Sequence, residues 1–191
     1  DKPDGRLAEV KDNDIRKLIN KINPYVIKFT QNNPISIQNH PNIAKNLNEV
    51  MQAFPEFLTT IGRGQHGTHD FTLDVHLLKV LQSVFNNSNY SKLSDESKKH
   101  IQIAALLHDL TKAEGRADFE HPHNSAFDVY YLLDKLSMSE KDKLKIYHII
   151  ANHDWLAKYD FSDNKAKRIA FHLREGDAFK LSAILTQADL K

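Results

Sequence analysis

The sequence predicts an all-α protein, and three observations carry that expectation. Six glycines and six prolines in 191 residues leave room for long uninterrupted segments. Few stretches alternate β-branched with polar residues as a half-buried strand would. Apolar residues instead recur at helical spacing, as Ile15, Leu18, Ile19 and Ile22 do on one face.

Taken in order, the N-terminal third is rich in Asn and broken by Pro24, Pro34, Pro41 and Pro55. Short helices are expected between the breaks, at about 12–22 and 41–53. A Gly-rich joint follows, Ile61-Gly-Arg-Gly-Gln-His-Gly67. Beyond it the pattern lengthens, with helices expected at about 72–86, 95–112, 124–136, 140–157, 164–174 and 177–190. Thr72 and Ser94 suit N-caps, and Pro122 is tolerable only before or at the start of the next helix. No repeat and no low-complexity tract interrupts this order. The expected organisation is a helical extension over 1–54, accessory or partner-contacting, followed by a helical domain over 55–191.

Composition narrows the function. Charge is balanced, 26 Lys+Arg against 25 Asp+Glu, which gives no strong nucleic-acid signal. The longest apolar run, Ile103 to Leu107, is far short of the roughly 18 residues of a membrane span. With no charged-then-apolar leader at the start, a soluble, cytoplasmic protein is expected. Zero Cys excludes a disulfide framework, a Cys-based zinc site, an iron–sulfur cluster and a thiol nucleophile. Eleven histidines are the anomaly, and any metal here must be held by nitrogen and oxygen.

Helical spacing shows where those histidines point. Ile101, Ala104 and Ala105 define an apolar face on which His108 is the next member. Ile146, Ile149, Ile150 and His153 repeat that series, and His76 stands four residues before Val80 at the edge of an inward face. Asp189 lies on the row of Ser182, Leu185 and Thr186. A single inward histidine is more often a core residue with one hydrogen bond. Three separate helices carrying one each, with Asp109 beside His108, make a metal-ligand set of imidazole and carboxylate the sharper reading.

Those residues carry a resemblance. His76, then His108-Asp109, then Asp189 resembles the H…HD…D signature of the HD-domain metal-dependent phosphohydrolases. Ala-Ala-Leu-Leu-His108-Asp109-Leu-Thr-Lys112 looks like that superfamily's HD helix. His69-Asp-Phe-Thr-Leu-Asp-Val-His76 is most similar to the opening of the uridylyl-removing HD domain of PII uridylyltransferases. Pro55-Glu56, Gln65 and His69 are similar to the run-up to the HD region in those enzymes and in tRNA nucleotidyltransferases. His121-Pro-His-Asn-Ser-Ala126 is similar to the family's His-x-x-x-Gly-Ala element, with Ser125 in place of Gly. Asn152-His153 and Leu185-Thr-Gln-Ala-Asp189 match its later His and its terminal Ala-Asp.

The resemblance covers about 55–191 and implies an HD-domain helical bundle behind the N-terminal extension. It makes His76, His108, Asp109 and Asp189 the primary metal ligands. His121 and His153 match the histidines of branches that hold a second ion, with Asp109 able to bridge. His123 is the rival to His121, and His148 ranks below His153 because five residues turn it some 140° away. His69 is expected at the pocket mouth as a substrate or acid/base group. His40, His66, His100 and His172 have no motif support and read as surface or packing residues.

The implied cofactor is one or two divalent ions, with Mn, Fe, Mg, Zn and Ni not distinguished. Such ions lower the pKa of a bound water and clamp phosphoryl oxygens. Lys112, one turn past Asp109, and Arg116, in the polar segment 112–124, are the cations expected to bind substrate. The implied activity is hydrolysis of a small-molecule phosphomonoester or phosphodiester, plausibly a nucleotide. Leu-Thr-Lys-Ala after the His-Asp, where alarmone hydrolases carry an acidic pair, and the lack of a Gly-Tyr-Pro element count against two branches. No Gly-Ser pair precedes an Asp-x-Asp, so a nucleotidyltransferase half is missing. The chain stops two residues after Asp189, where the family continues, which implies a very short tail or a piece of a longer protein. Two rival readings stand beside this one: a catalytically silent sensory or binding module, and a diiron oxygenase of the same fold. The extension leaves room for a partner surface or a homodimer contact.

Overall fold

Among the described residues Leu73–Phe85 forms the first α-helix (α1), and its sequence explains its central place. Leu73, Val75, Leu77, Leu78, Val80, Leu81 and Val84 are all buried, so apolar residues cover most of the helix circumference. A helix of that kind is stable only when enclosed by others. In the computed structural model, which describes residues 55–67, 69, 71–134, 138–154 and 176–190, α1 is enclosed in this way. The 3-10 turn Pro55–Thr60 covers one side through buried Phe57.

Four more α-helices follow among the described residues: Asp95–Leu107 (α2), His121–Asp134 (α3), Glu140–Ala151 (α4) and Asp177–Asp189 (α5). There is no strand among the described residues. α3 packs on α4, α2 packs on both α1 and α4, and α5 lies against α4, α1 and α2. One continuous core results, filled by residues such as Leu77, Leu81, Ile101, Leu106, Val129, Ile146, Ile149 and Leu185. The extension 1–54 and the helices expected at 12–22, 41–53 and 164–174 lie outside the described residues.

Local chemistry sets the helix ends. The Ser94 hydroxyl accepts from the Ser97 N–H at 3.1 Å, and Ser139 accepts from the Asp142 N–H at 3.2 Å. Each satisfies an otherwise unmatched first-turn donor, worth about 0.5–2 kcal/mol. Thr72 occupies the N-cap position of α1 as expected, but its hydroxyl makes no capping bond. Gly176 precedes α5 with φ of 54°, a backbone conformation that favours glycine.

Three boundaries differ from expectation, and each difference shapes the site. α2 stops at Leu107 rather than near 112, and tight turns carry the chain onward, with Leu110 N–H to Leu107 C=O at 3.2 Å and Lys112 N–H to Asp109 C=O at 3.0 Å. α3 starts at His121 rather than 124, because Pro122 in the first turn gives up only an N–H that had no partner there. α4 stops at Ala151 rather than near 157. There the Asn152 backbone N–H closes the last turn on the His148 carbonyl at 3.3 Å, and the Asn152 side-chain Nδ2 donates to the same carbonyl at 2.7 Å.

Candidate metal centre

Five helix ends deliver the candidate residues to one place. His76 comes from the opening of α1, and His108-Asp109 follow the last turn of α2. His121 opens α3, His153 lies two residues past α4, and Asp189 closes α5. The ends of α2, α4 and α5 are C-terminal, where the aligned peptide dipoles favour a cation.

Asp109 is the hub. Its Oδ2 lies 3.7 Å from His76 Nε2, 3.8 Å from His108 Nε2 and 2.7 Å from Lys112 Nζ. Its Oδ1 lies 3.0 Å from His121 Nε2 and 3.4 Å from His153 Nε2. Asp189 Oδ1 closes the first side, 2.9 Å from His76 Nε2 and 3.5 Å from His108 Nε2. Each carboxylate oxygen of Asp109 thus faces its own histidine pair.

The histidines are oriented as ligands are. A backbone carbonyl can only accept, so a ring nitrogen facing one carries the proton. His108 Nδ1 donates to the Ala105 carbonyl at 2.9 Å and His153 Nδ1 to the Ile150 carbonyl at 2.6 Å. His121 Nδ1 donates to the Asp118 carbonyl. In the neutral ring this leaves Nε2 as a lone-pair donor, the arrangement usual for metal-bound imidazole. His153 is further fixed through its own carbonyl, which accepts from the Thr186 hydroxyl of α5.

The Nε2 atoms of His76, His108, His121 and His153, with Asp109 Oδ1, are buried and without a hydrogen-bond partner. Leaving one such atom unsatisfied costs about 1–3 kcal/mol, so five together need a physical reason. Their separations are short, yet the atoms do not align as donor and acceptor. Two atoms each bonded at ~2.0–2.2 Å to one ion lie roughly 2.8–3.6 Å apart while pointing at the ion rather than at each other. The observed spacings fall on and just beyond that range. The groups His76/His108/Asp109, His108/His153/Asp189 and Asp109/His121/His153, buried except for half-buried Asp189, could each hold a metal ion, their ligand atoms within 4.8 Å of one another; so could the more exposed group Glu96/His100/Asp142 elsewhere.

Electrostatics supports a cation. Burial pushes the Asp109 carboxyl up, but His108, His121 and His153 outweigh it and hold the group well below its usual range. Burial is likewise outweighed at Asp189, by His108 and His76. Conversely, burial pushes His108 and His121 down, and the facing carboxylates hold both above their ordinary value. The carboxylates here therefore stay ionised and draw positive charge from whatever faces them.

The flanking residues divide. Lys112 is half-buried and paired with Asp109. His69 is exposed at the rim, its ring centroid 5.8 Å from that of His76. Burial, then Lys112 and His76, lowers its pKa. Arg116 is exposed, and no ion pair among the described residues draws it toward the carboxylates. His121 is buried in the cluster while His123 is exposed, which separates the two rivals. His148 contacts the Tyr147 ring and stands outside the cluster. His66 is exposed, whereas His40 and His172 lie outside the described residues. His100 is a packing residue, buried against Asp142 of α4.

Three residues were missed by sequence reasoning. Arg63, in the Gly-rich joint, donates to the carbonyls of Leu110 and Lys112 at 2.9 and 3.1 Å and to Thr59 at 2.6 Å, pinning the loop after Asp109. Ser125, where the resemblance expects Gly, places its hydroxyl 3.1 Å from the Thr111 N–H and 3.0 Å from the Thr111 hydroxyl. Asp154 adjoins the cluster, and its signal was visible, since His153-Asp154 repeats the dipeptide His108-Asp109. No family model, curated protein or solved structure matches the chain.

Proposed function

We propose that this chain is a metal-dependent phosphohydrolase of the HD type, acting on a small phosphomonoester or phosphodiester, with a nucleotide as the favoured class. The observation that carries the proposal is the carboxylate of Asp109 set between two pairs of partnerless histidine nitrogens. His76, His108, Asp109 and Asp189 would hold one divalent ion, and Asp109, His121 and His153 a second. Bound there, the metal supplies Lewis acidity toward a phosphoryl oxygen and lowers the pKa of a bound water.

The chain's own residues do the rest. Lys112, whose ammonium now rests on Asp109 Oδ2, is placed to take a phosphoryl oxygen and offset charge developing on the phosphorus. His69 at the rim, held toward its neutral form, can accept a proton from a substrate or water entering the pocket. Arg116, exposed on the same loop, is available to a second phosphate or a polar substituent farther out. Buried Ala105, Leu107, Ile149 and Ile150 pack behind His108 and His153 and keep water from that side.

The test is metal analysis of purified protein, then hydrolysis of bis-p-nitrophenyl phosphate and a nucleotide panel with added Mn²⁺. Turnover abolished by His108→Ala and by Asp109→Ala supports the proposal. A correctly metallated protein that hydrolyses nothing in the panel would replace it with the binding-module reading. Oxygen-dependent turnover of an unphosphorylated polyol with iron would replace it with an oxygenase, whose ligand chemistry the same donors allow.

A further inference from the structure

We infer that Asp154 is the carboxylate that completes the second ion position, and that the chain binds two divalent ions in two halves of like composition. This rests on the reading of the cluster as a metal centre. Asp154 Oδ2 lies 3.8 Å from His121 Nε2, and its Oδ1 lies 3.9 Å from His153 Nε2. It faces the nitrogens left over for metal. It does not support the opposite ring nitrogens, because His121 Nδ1 and His153 Nδ1 already donate to the carbonyls of Asp118 and Ile150.

The two His-Asp dipeptides share one local design. In each, the histidine Nδ1 donates to the carbonyl three residues earlier, Ala105 in one and Ile150 in the other. In each, Nε2 then stands at nearly the same distance from the neighbouring carboxylate, 3.8 Å for His108-Asp109 and 3.9 Å for His153-Asp154. With Asp154 counted, both halves hold two histidines, one private carboxylate and a share of Asp109. The first half is His76, His108 and Asp189, and the second is His121, His153 and Asp154. Three carboxylates against Lys112, the one cation paired with them among the described residues, leave negative charge that two divalent ions reverse. An anionic substrate then meets a favourable field only when the second position is filled.

The halves are also alike in depth: the private carboxylates are 24% exposed for Asp154 and 17% for Asp189, and the shared Asp109 is 1% exposed.

The experiment uses the full chain, stripped with chelator and titrated with Mn²⁺. Bound metal is counted by equilibrium dialysis with elemental analysis, and electron paramagnetic resonance reports a spin-coupled pair. Wild type is expected to bind two ions. Asp154→Ala is expected to weaken the second by about 100-fold or more, beyond the roughly 10–100-fold typical of an outer-shell partner. It should also erase the coupled signal while keeping the first ion and the helical circular dichroism. Asp154→His, which restores a donor, should recover the second ion, and Asp154→Asn serves if the alanine variant fails to fold. Two ions bound with unchanged affinity in Asp154→Ala and Asp154→Asn would overturn the assignment and leave the hydrolase reading intact. A wild type that binds one ion would overturn it equally, leaving a single-ion hydrolase. A folded wild type that binds none would overturn the metal reading itself.

Discussion

Two buried histidine–carboxylate regions occupy the same pair of helices and differ in kind. Near the start of α2, His100 Nε2 lies 2.9 Å from Asp142 Oδ1 of α4 in a hydrogen-bonding alignment. Asp142 is held in turn by the Ser139 hydroxyl at 2.6 Å. At the other end of those helices, His108 and His153 turn Nε2 toward carboxylates without aligning to them. His100 Nε2 and Asp142 form a direct inter-helix pair, while His100 Nδ1 is buried without a hydrogen-bond partner. The cluster holds four Nε2 atoms and Asp109 Oδ1 without a hydrogen-bond partner, a set that could hold a metal ion. The same residue types thus pair directly in one region and converge without aligning in the other.

The largest effect separates the regions by activity and metal. If the proposed hydrolase reading holds, Asp109→Ala removes the one carboxylate common to both proposed ion positions, and hydrolysis should fall by about 10³-fold or more. Bound Mn²⁺ should fall with it. Asp142→Ala should leave turnover within about threefold and the metal count unchanged. It should instead lower unfolding free energy by about 1–3 kcal/mol, the cost of leaving buried His100 without its partner. Parallel metal analysis, steady-state assays and urea melts check both; loss of metal in Asp142→Ala would erase the distinction.

Metal removal should follow in size. An ion that binds only the folded chain at 100 times its dissociation constant adds about 2.7 kcal/mol. Chelation should therefore lower the melting midpoint by roughly 5–10 °C for one such ion in a chain of this length. Asp142→Ala should melt lower than wild type yet keep the whole metal-dependent shift. Asp109→Ala should lose that shift.

The pH dependence of the chelated protein has opposite signs in the two regions. His108 and His121 are held above 6.5 in the folded chain. Their protons stabilise the fold below 6.5, and that stability is lost as pH rises through the folded values. Burial holds His100 below 6.5 despite Asp142, so there stability is lost as pH falls from 6.5 through its folded value. Asp109 and Asp189, held well below 3.8, contribute stability above 3.8 that disappears as pH falls through their folded values. Urea unfolding of apo wild type between pH 5 and 8 should therefore weaken on both sides of about 6.5. His100→Asn should remove the acid-side loss attributable to His100 and leave the alkaline-side loss. With metal bound the alkaline-side loss should vanish, since the ligands must shed their protons to bind.

The contrast explains what could be read in advance. The helical periods of α1, α2, α4 and α5 were legible because burial imposes them on the sequence. His108 and His153 were legible because they continue apolar rows, and His121 because of its place in a motif. His100 was legible only as one of two bland alternatives, since no pattern says that Asp142, 42 residues away, will meet it. Arg63 and Ser125 were hidden for the same reason. Their partners are backbone groups of a loop whose course depends on the early end of α2, and that end leaves no strong residue signature.

The smallest expected effect tests whether support of the loop belongs to the site. Ser125→Ala and Ser139→Ala each remove one serine hydroxyl, and each should cost about 1 kcal/mol. Ser125 holds the Thr111 N–H, two residues past Asp109, while Ser139 caps α4 beside Asp142. If the loop positions Asp109 and Lys112, Ser125→Ala should also lower turnover by a few-fold, with a parallel weakening of Mn²⁺ binding. Ser139→Ala should change stability alone. Ser125→Gly, the residue that the resemblance expects, should behave as Ser125→Ala does, because either change frees the Thr111 amide. Equal turnover in all three variants would mean that Arg63 holds the loop by itself, through the Leu110 and Lys112 carbonyls. Arg63→Ala would then reproduce the loss that Ser125→Ala did not.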